Sequence, residues 1–153
     1  MNLTPHFTLA EMTTTSTRLD NLPDGHEICC LRSVCSAVLE PWRERVGPLK
    51  VNSGFRSALV NAAVDSSSKS QHIKGEAADV VPLHTARIEA WHTLLDMIAA
   101  GLPVDQAIIY EDHNHIHVSH TARYTARRQV LVHMPGSYIS WAKWLQLKRP
   151  PLT

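Results

Sequence analysis

The stretch Ser70-Gln71-His72-Ile73-Lys74-Gly75-Glu76-Ala77-Ala78-Asp79 constrains this chain more than any other. It carries a histidine and an aspartate seven positions apart, around a glycine that can turn the backbone. A second cluster, His113-Asn114-His115-Ile116-His117, lies downstream and can supply what the first lacks. His115 and His117 are two apart, so on a strand they point to the same face. One can then bind a metal while the other faces a substrate. Zinc favours four-coordinate sites of His, Cys, Asp and Glu, and catalytic zinc keeps three protein ligands with one position left for water. The residues read as a zinc site made from His72, Asp79 and one downstream histidine.

The remaining sequence suits a single domain around that site. A chain of 153 residues, 44% of them hydrophobic, can bury a real core. The net charge is +1 and no Lys/Arg block stands out, so nothing marks a nucleic-acid or membrane surface. The three cysteines, Cys29, Cys30 and Cys35, are odd in number, closely spaced and set among apolar residues. They read as buried free thiols rather than a disulfide framework or a zinc knuckle. The opening Met1-Asn2-Leu3-Thr4-Pro5-His6-Phe7 has no basic segment followed by an apolar run, and no stretch is long enough to span a bilayer. The expectation is a protein without signal peptide or membrane anchor, made in the cytoplasm.

Periodicity gives the order of elements. Thr8 with Glu11 resembles a capping box that starts a helix, and Asp24 with Glu27 gives another helix start. Ile28, Leu31, Val34, Cys35, Val38, Leu39 and Trp42 recur at helical spacing, with Pro41 expected to kink the helix and Gly47-Pro48 to stop it. Leu49 to Asn52 reads as a strand and Arg56 to Val64 as a short helix. Ala77 to Val81 reads as a strand ended by Pro82. Thr85 can cap a helix with Ile88, Trp91, Leu94, Leu95 and Ile98 on its apolar face, ending at Gly101. Ala107–Tyr110, His115–Ser119 and Gln129–His133 read as strands, and Ser137–Leu147 as a helix carrying Trp141 and Trp144. The sum is an α+β fold: one domain over 1–153, with a small, largely antiparallel sheet flanked by helices. The zinc site falls on strands and adjoining loops.

Three motifs in order then carry a resemblance. They are Ser53-Gly54-Phe55-Arg56-Ser57, Ser70-x-His72-x-x-Gly75-x-Ala77-x-Asp79, and His115-Ile116-His117-Val118-Ser119. The chain resembles the M15 family of zinc peptidases, which includes D-alanyl-D-alanine carboxypeptidases and phage endolysins. The resemblance runs from about Phe7 to Val132, so the expected core is about 7–133 with a C-terminal helix and tail over 134–153. It implies His72, Asp79 and His117 as Zn2+ ligands and Arg56 as a substrate anchor. It implies His115 as a partner to the developing oxyanion or a hydrogen bond to substrate.

The sequence departs from the family pattern at one place. Many M15 peptidases carry an acid three residues before the last ligand histidine, where this chain has Asn114, which cannot take a proton. Glu111 and Asp112 lie close by. Tyr110-Glu111 followed by His115-Ile116-His117 also resembles the metal site of the hedgehog signalling domain, which has its Glu at the Glu111 spacing. The expected general base is therefore Glu111, with Asp112 second. The expected function is zinc-assisted hydrolysis of peptidoglycan stem peptides or cross-links by a monomer that acts at the bacterial wall after release. The other class that fits is a zinc-stabilised binding or phage structural module that has lost the chemistry through Asn114.

Overall fold

Local capping decides where the first two helices begin. A computed structural model describes residues 1–153. In α1, Leu9–Met12, the Thr8 hydroxyl accepts from the Glu11 N–H, and the Glu11 carboxylate accepts in return from the Thr8 N–H. Asp24 and Glu27 form the same reciprocal pair at the start of α2, Gly25–Val34. The apolar stripe then runs unbroken through Leu31, Val34, Cys35, Val38, Leu39 and Trp42, all fully buried.

The expected kink at Pro41 takes a specific form. Residues Cys35–Leu39 make a π-helical turn, in which the Glu40 N–H reaches back five residues to the Cys35 carbonyl. The wider turn sits just before Pro41, whose nitrogen has no proton to donate, and the helix resumes as α3, Glu40–Val46. After β1, Leu49–Ser53, the short α4, Ala58–Ala63, begins at Ser57, whose hydroxyl accepts from the Val60 N–H. The long α5, Arg87–Ala99, buries Ala90, Trp91, Leu94 and Ile98. Thr85 does not cap it. Its hydroxyl donates to the Val46 carbonyl at 2.6 Å and ties α5 to the end of α3.

Six strands form one sheet in the order β1-β2-β4-β3-β5-β6, where β2 is Ala77–Pro82, β3 Gln106–Tyr110, β4 Ile116–Ser119, β5 Gln129–Met134 and β6 Ser137–Ser140. All neighbours are antiparallel except β3 and β5. Period-two alternation divides the sheet into two faces. Ala78, Val80, Ala107, Ile109, Ile116, Val118 and Val132 join the helices in one apolar core. Asp79, Ile108, Tyr110, His117 and Leu131 point the other way, into an open cleft. One layer of helices thus supports one face, and the opposite face carries the polar residues.

The C-terminal part differs from the sequence reading. Ser137–Ser140 is strand, and only Trp141–Leu145 is helical, as α6. Pro135-Gly136 lies between the paired residues Met134 and Ser137, and Gly136 has φ +81. A two-residue turn with a left-handed glycine closes a hairpin, which outweighs the weak helical pattern of the next four residues. Trp144 is buried and stacks on Trp141 at 5.4 Å. The cysteines are free, but only Cys35 is buried, where burial pushes its thiol up to about 12. Cys29 is exposed and Cys30 half-buried, because both lie off the stripe that faces the sheet.

Candidate metal centre

Three elements deliver one side chain each to a single point in the cleft. The β2–β4 pairing sets Asp79 directly opposite His117 on the cleft face. His72 arrives from the 3₁₀ turn Gln71–Lys74 that precedes β2. Gly75 ends that turn at φ +68, and a Cβ there would stand 2.6 Å from the Glu27 carbonyl oxygen of α2. Both the left-handed backbone and the close approach require glycine.

The donor atoms converge as a metal site does. His117 Nδ1 is 2.9 Å from Asp79 Oδ1, His72 Nε2 is 3.3 Å from His117 Nδ1, and His72 Nε2 is 3.4 Å from Asp79 Oδ1. A tetrahedral zinc ion with bonds of about 2.0–2.1 Å separates its ligand atoms by roughly 3.3–3.4 Å. Two of the three spacings match that edge, and the third is within half an ångström of it. The residue types and their number fit a zinc ion with a fourth position left open. His72, Asp79 and His117 could therefore hold a metal.

The surroundings fix these donors. His72 Nδ1 lies 2.6 Å from the Gly54 carbonyl, which can only accept, so Nδ1 carries the proton and Nε2 presents its lone pair to the centre. Arg56 Nη2 donates to Asp79 Oδ2 at 3.0 Å and leaves Oδ1 facing the histidines. Ser53 accepts from Arg56 Nε at 3.0 Å, and the β-bulge between Val51 and Ser53 brings Ser53 opposite Asp79.

The three donors are only 3%, 6% and 7% exposed, so an unpaired charge among them would be costly. Burial acts to raise the Asp79 carboxyl, but His72 and His117 beside it hold it well below the usual carboxylate range. Burial lowers His117 further than its bond to Asp79 raises it. The ionised carboxylate is the state in which Asp79 binds a cation.

The other expected site residues divide. His115 joins the centre, with Nε2 4.0 Å from Asp79 Oδ1 and its carbonyl 3.4 Å from Arg87 Nη1. Burial pushes its imidazole below the ordinary histidine value. Arg56 lines the cleft, but most of its guanidinium is engaged, with only a 3.4 Å contact from Nη1 to Ser66 Oγ.

Glu111 does not join the centre. It accepts from Trp144 Nε1 and Arg149 Nε at 3.0 Å each, with a further bond from Arg149 Nη2, in a separate recess beside Arg87. The reason is parity. Gln106, Ile108 and Tyr110 of β3 face the cleft, so the next residue turns away. Asp112, the second candidate base, is exposed and bonds to His133 Nδ1 at 3.1 Å and His113 Nδ1 at 3.0 Å. Asn114 is exposed as well.

The sequence reading passed over Tyr110, whose place was recoverable by counting alternate residues along β3. It also passed over Lys69, three residues before His72, and Arg127, ten after His117, which both line the cleft. No motif flags those two, because only the tertiary fold brings them together.

Residues 5–119, three quarters of the chain, match the model of a family described as Peptidase M15. A comparison with curated proteins gave no match. The matched segment contains Arg56, His72, Asp79, His115 and His117, and it ends at the last residue of β4.

Proposed function

The chain belongs to the M15 peptidase family, and from that premise we propose that it is a zinc metallopeptidase that hydrolyses the peptide part of peptidoglycan. Membership supports a peptidase. The observation that carries the finer reading is the convergence of His72 Nε2, Asp79 Oδ1 and His117 Nδ1 in a cleft of about 740 Å³. Among the charged groups of the cleft, Arg56 is paired with Asp79 and Arg127 with Asp105, which leaves the Lys69 ammonium as the cation without an ion-pair partner, opposite the Asp65 carboxylate. Peptidoglycan stem peptides carry several free carboxylates, which guanidinium and ammonium groups grip through charge-assisted bonds.

His72, Asp79 and His117 would hold the ion. When bound, zinc would lower the pKa of a water toward neutrality and polarise the scissile carbonyl. His115 stands beside the donors and, as a neutral imidazole, takes the proton of the attacking water and returns it to the leaving amine. Water adds to the carbonyl carbon, the C–N bond breaks, and a carboxylate and an amine result. Arg56 holds Asp79 in place and offers Nη1, its least engaged nitrogen, to a substrate carboxylate or carbonyl. Either a phage-type lysin or a wall-remodelling enzyme fits this chemistry, acting as a monomer at the bacterial wall. No helix of the chain is long and apolar enough to cross a membrane.

Peptide release from purified peptidoglycan tests the reading. The expected result is new free amines, lost on chelation and restored by zinc. A folded, zinc-loaded protein that releases nothing from any wall type would replace the peptidase with a binding module on the same fold. The assignment of the base has its own test. Glu111→Gln is expected to keep turnover within about threefold, because the lost contacts lie in the other recess. A collapse of turnover at full metal content would return the base role to Glu111.

A further inference from the structure

With His115 moving the proton and the ion, when bound, polarising the carbonyl, a hydrogen-bond donor on the carbonyl oxygen would add to the stabilisation of its negative charge. Arg56 is poorly placed to be that donor alone, since Asp79, Ser53 and Ser66 share its guanidinium. Tyr110 has no such commitment. It ends β3 on the cleft face, and the β3–β4 register, with Ile109 against Ile116, carries it alongside His115. The Tyr110 and His115 rings lie 4.5 Å apart between centroids, tilted by 48°. His133 and His113 flank the same ring at 5.2 and 5.4 Å.

Three imidazoles therefore fix the plane of the phenol, and the carboxylates nearby are taken by others. Asp79 is held by His117 and Arg56, and Asp112 by His133 and His113. The hydroxyl is left to a ligand in the cleft.

We propose that Tyr110 is a further catalytic residue, whose hydroxyl donates to the scissile carbonyl oxygen as the tetrahedral intermediate forms. The inference rests on the peptidase reading above. A phenol keeps its proton at neutral pH and burial raises it further, so the group acts as a donor. A donor aimed at the oxyanion strengthens its bond in the transition state more than in the bound substrate.

Tyr110→Phe tests this while keeping the ring against His115. The measurements are kcat and KM on a released stem peptide, affinity for a tetrahedral phosphinate analogue of that peptide, and zinc content. Loss of one oxyanion donor typically costs about 10²–10³ in kcat. The expected result is a kcat lower by about 100-fold, a KM changed by less than about threefold, phosphinate binding weakened in step with kcat, and full zinc content. Unchanged kcat in an otherwise active enzyme would overturn the role of Tyr110 alone. So would a loss of kcat that tracks lost zinc or a lowered melting temperature. A wild-type protein that releases no peptide would overturn the peptidase reading and this role together.

Discussion

His72→Ala is expected to lose its metal and its turnover together. His72 is 3% exposed, and its two ring nitrogens have separate tasks. Nδ1 donates to the Gly54 carbonyl, and Nε2 stands 3.3 Å from His117 and 3.4 Å from Asp79. Alanine removes one of three donors and leaves two, with Asp79 still buried. Loss of an outer partner of a ligand histidine typically weakens metal binding about 10–100-fold, so loss of the ligand itself should cost on the order of 10³-fold or more. Zinc should raise the melting temperature of the wild-type protein and leave that of the variant unmoved, since only a bound ligand shifts the folding equilibrium. Zinc content after dialysis gives the second readout. One zinc per chain in the variant would remove His72 from the ligand set.

The second large effect comes from a residue that binds nothing. Gly54 meets the backbone of α1 so closely that an added Cβ would lie 2.3 Å from the Met12 carbonyl oxygen and 3.0 Å from its carbonyl carbon and Cα. Those are backbone atoms of a buried residue, and the same Met12 oxygen accepts from the Phe55 N–H at 2.7 Å. Gly54→Ala must therefore move α1 or the loop after β1. Overpacking of this kind costs about 1–3 kcal/mol and sometimes more. The loop cannot move without carrying the Gly54 carbonyl away from His72 Nδ1, so zinc affinity should fall by about 10–100-fold. Denaturant midpoints and zinc titration of the same variant measure both. A stable variant with wild-type zinc affinity would show that the carbonyl does not orient His72.

Much of the centre was legible because its signals are local. His72, Gly75 and Asp79 lie within one turn and the strand that follows it, and His115 with His117 obey simple alternation. The capping boxes at Thr8 and Asp24, and the stripe from Leu31 to Trp42, were legible for the same reason. Each depends on residues three or four apart. Glu111 lies in the recess with Trp144 and Arg149, since closeness in sequence to His115 and His117 is not closeness in space. On β3 one residue decides which face a side chain takes, and Tyr110 rather than Glu111 has the parity of the cleft. Ser137–Ser140 is strand rather than helix because a hairpin with its partner β5 outweighs a short helical pattern.

The sequence by itself determined which groups are available to bind a cation, the α+β order of elements, and the family to which the chain belongs. These follow from side-chain chemistry and from periods of two and 3.6, which act over a few residues. Only the tertiary structure decided which groups stand around the centre and which stand behind it. Asp79 meets His117 through the register of β2 and β4, Arg56 is drawn to Asp79 across the bulge in β1, and Glu111 is claimed by Arg149 and Trp144. Strand register and face are fixed by burying the whole apolar side of the sheet at once, and no short motif contains that information.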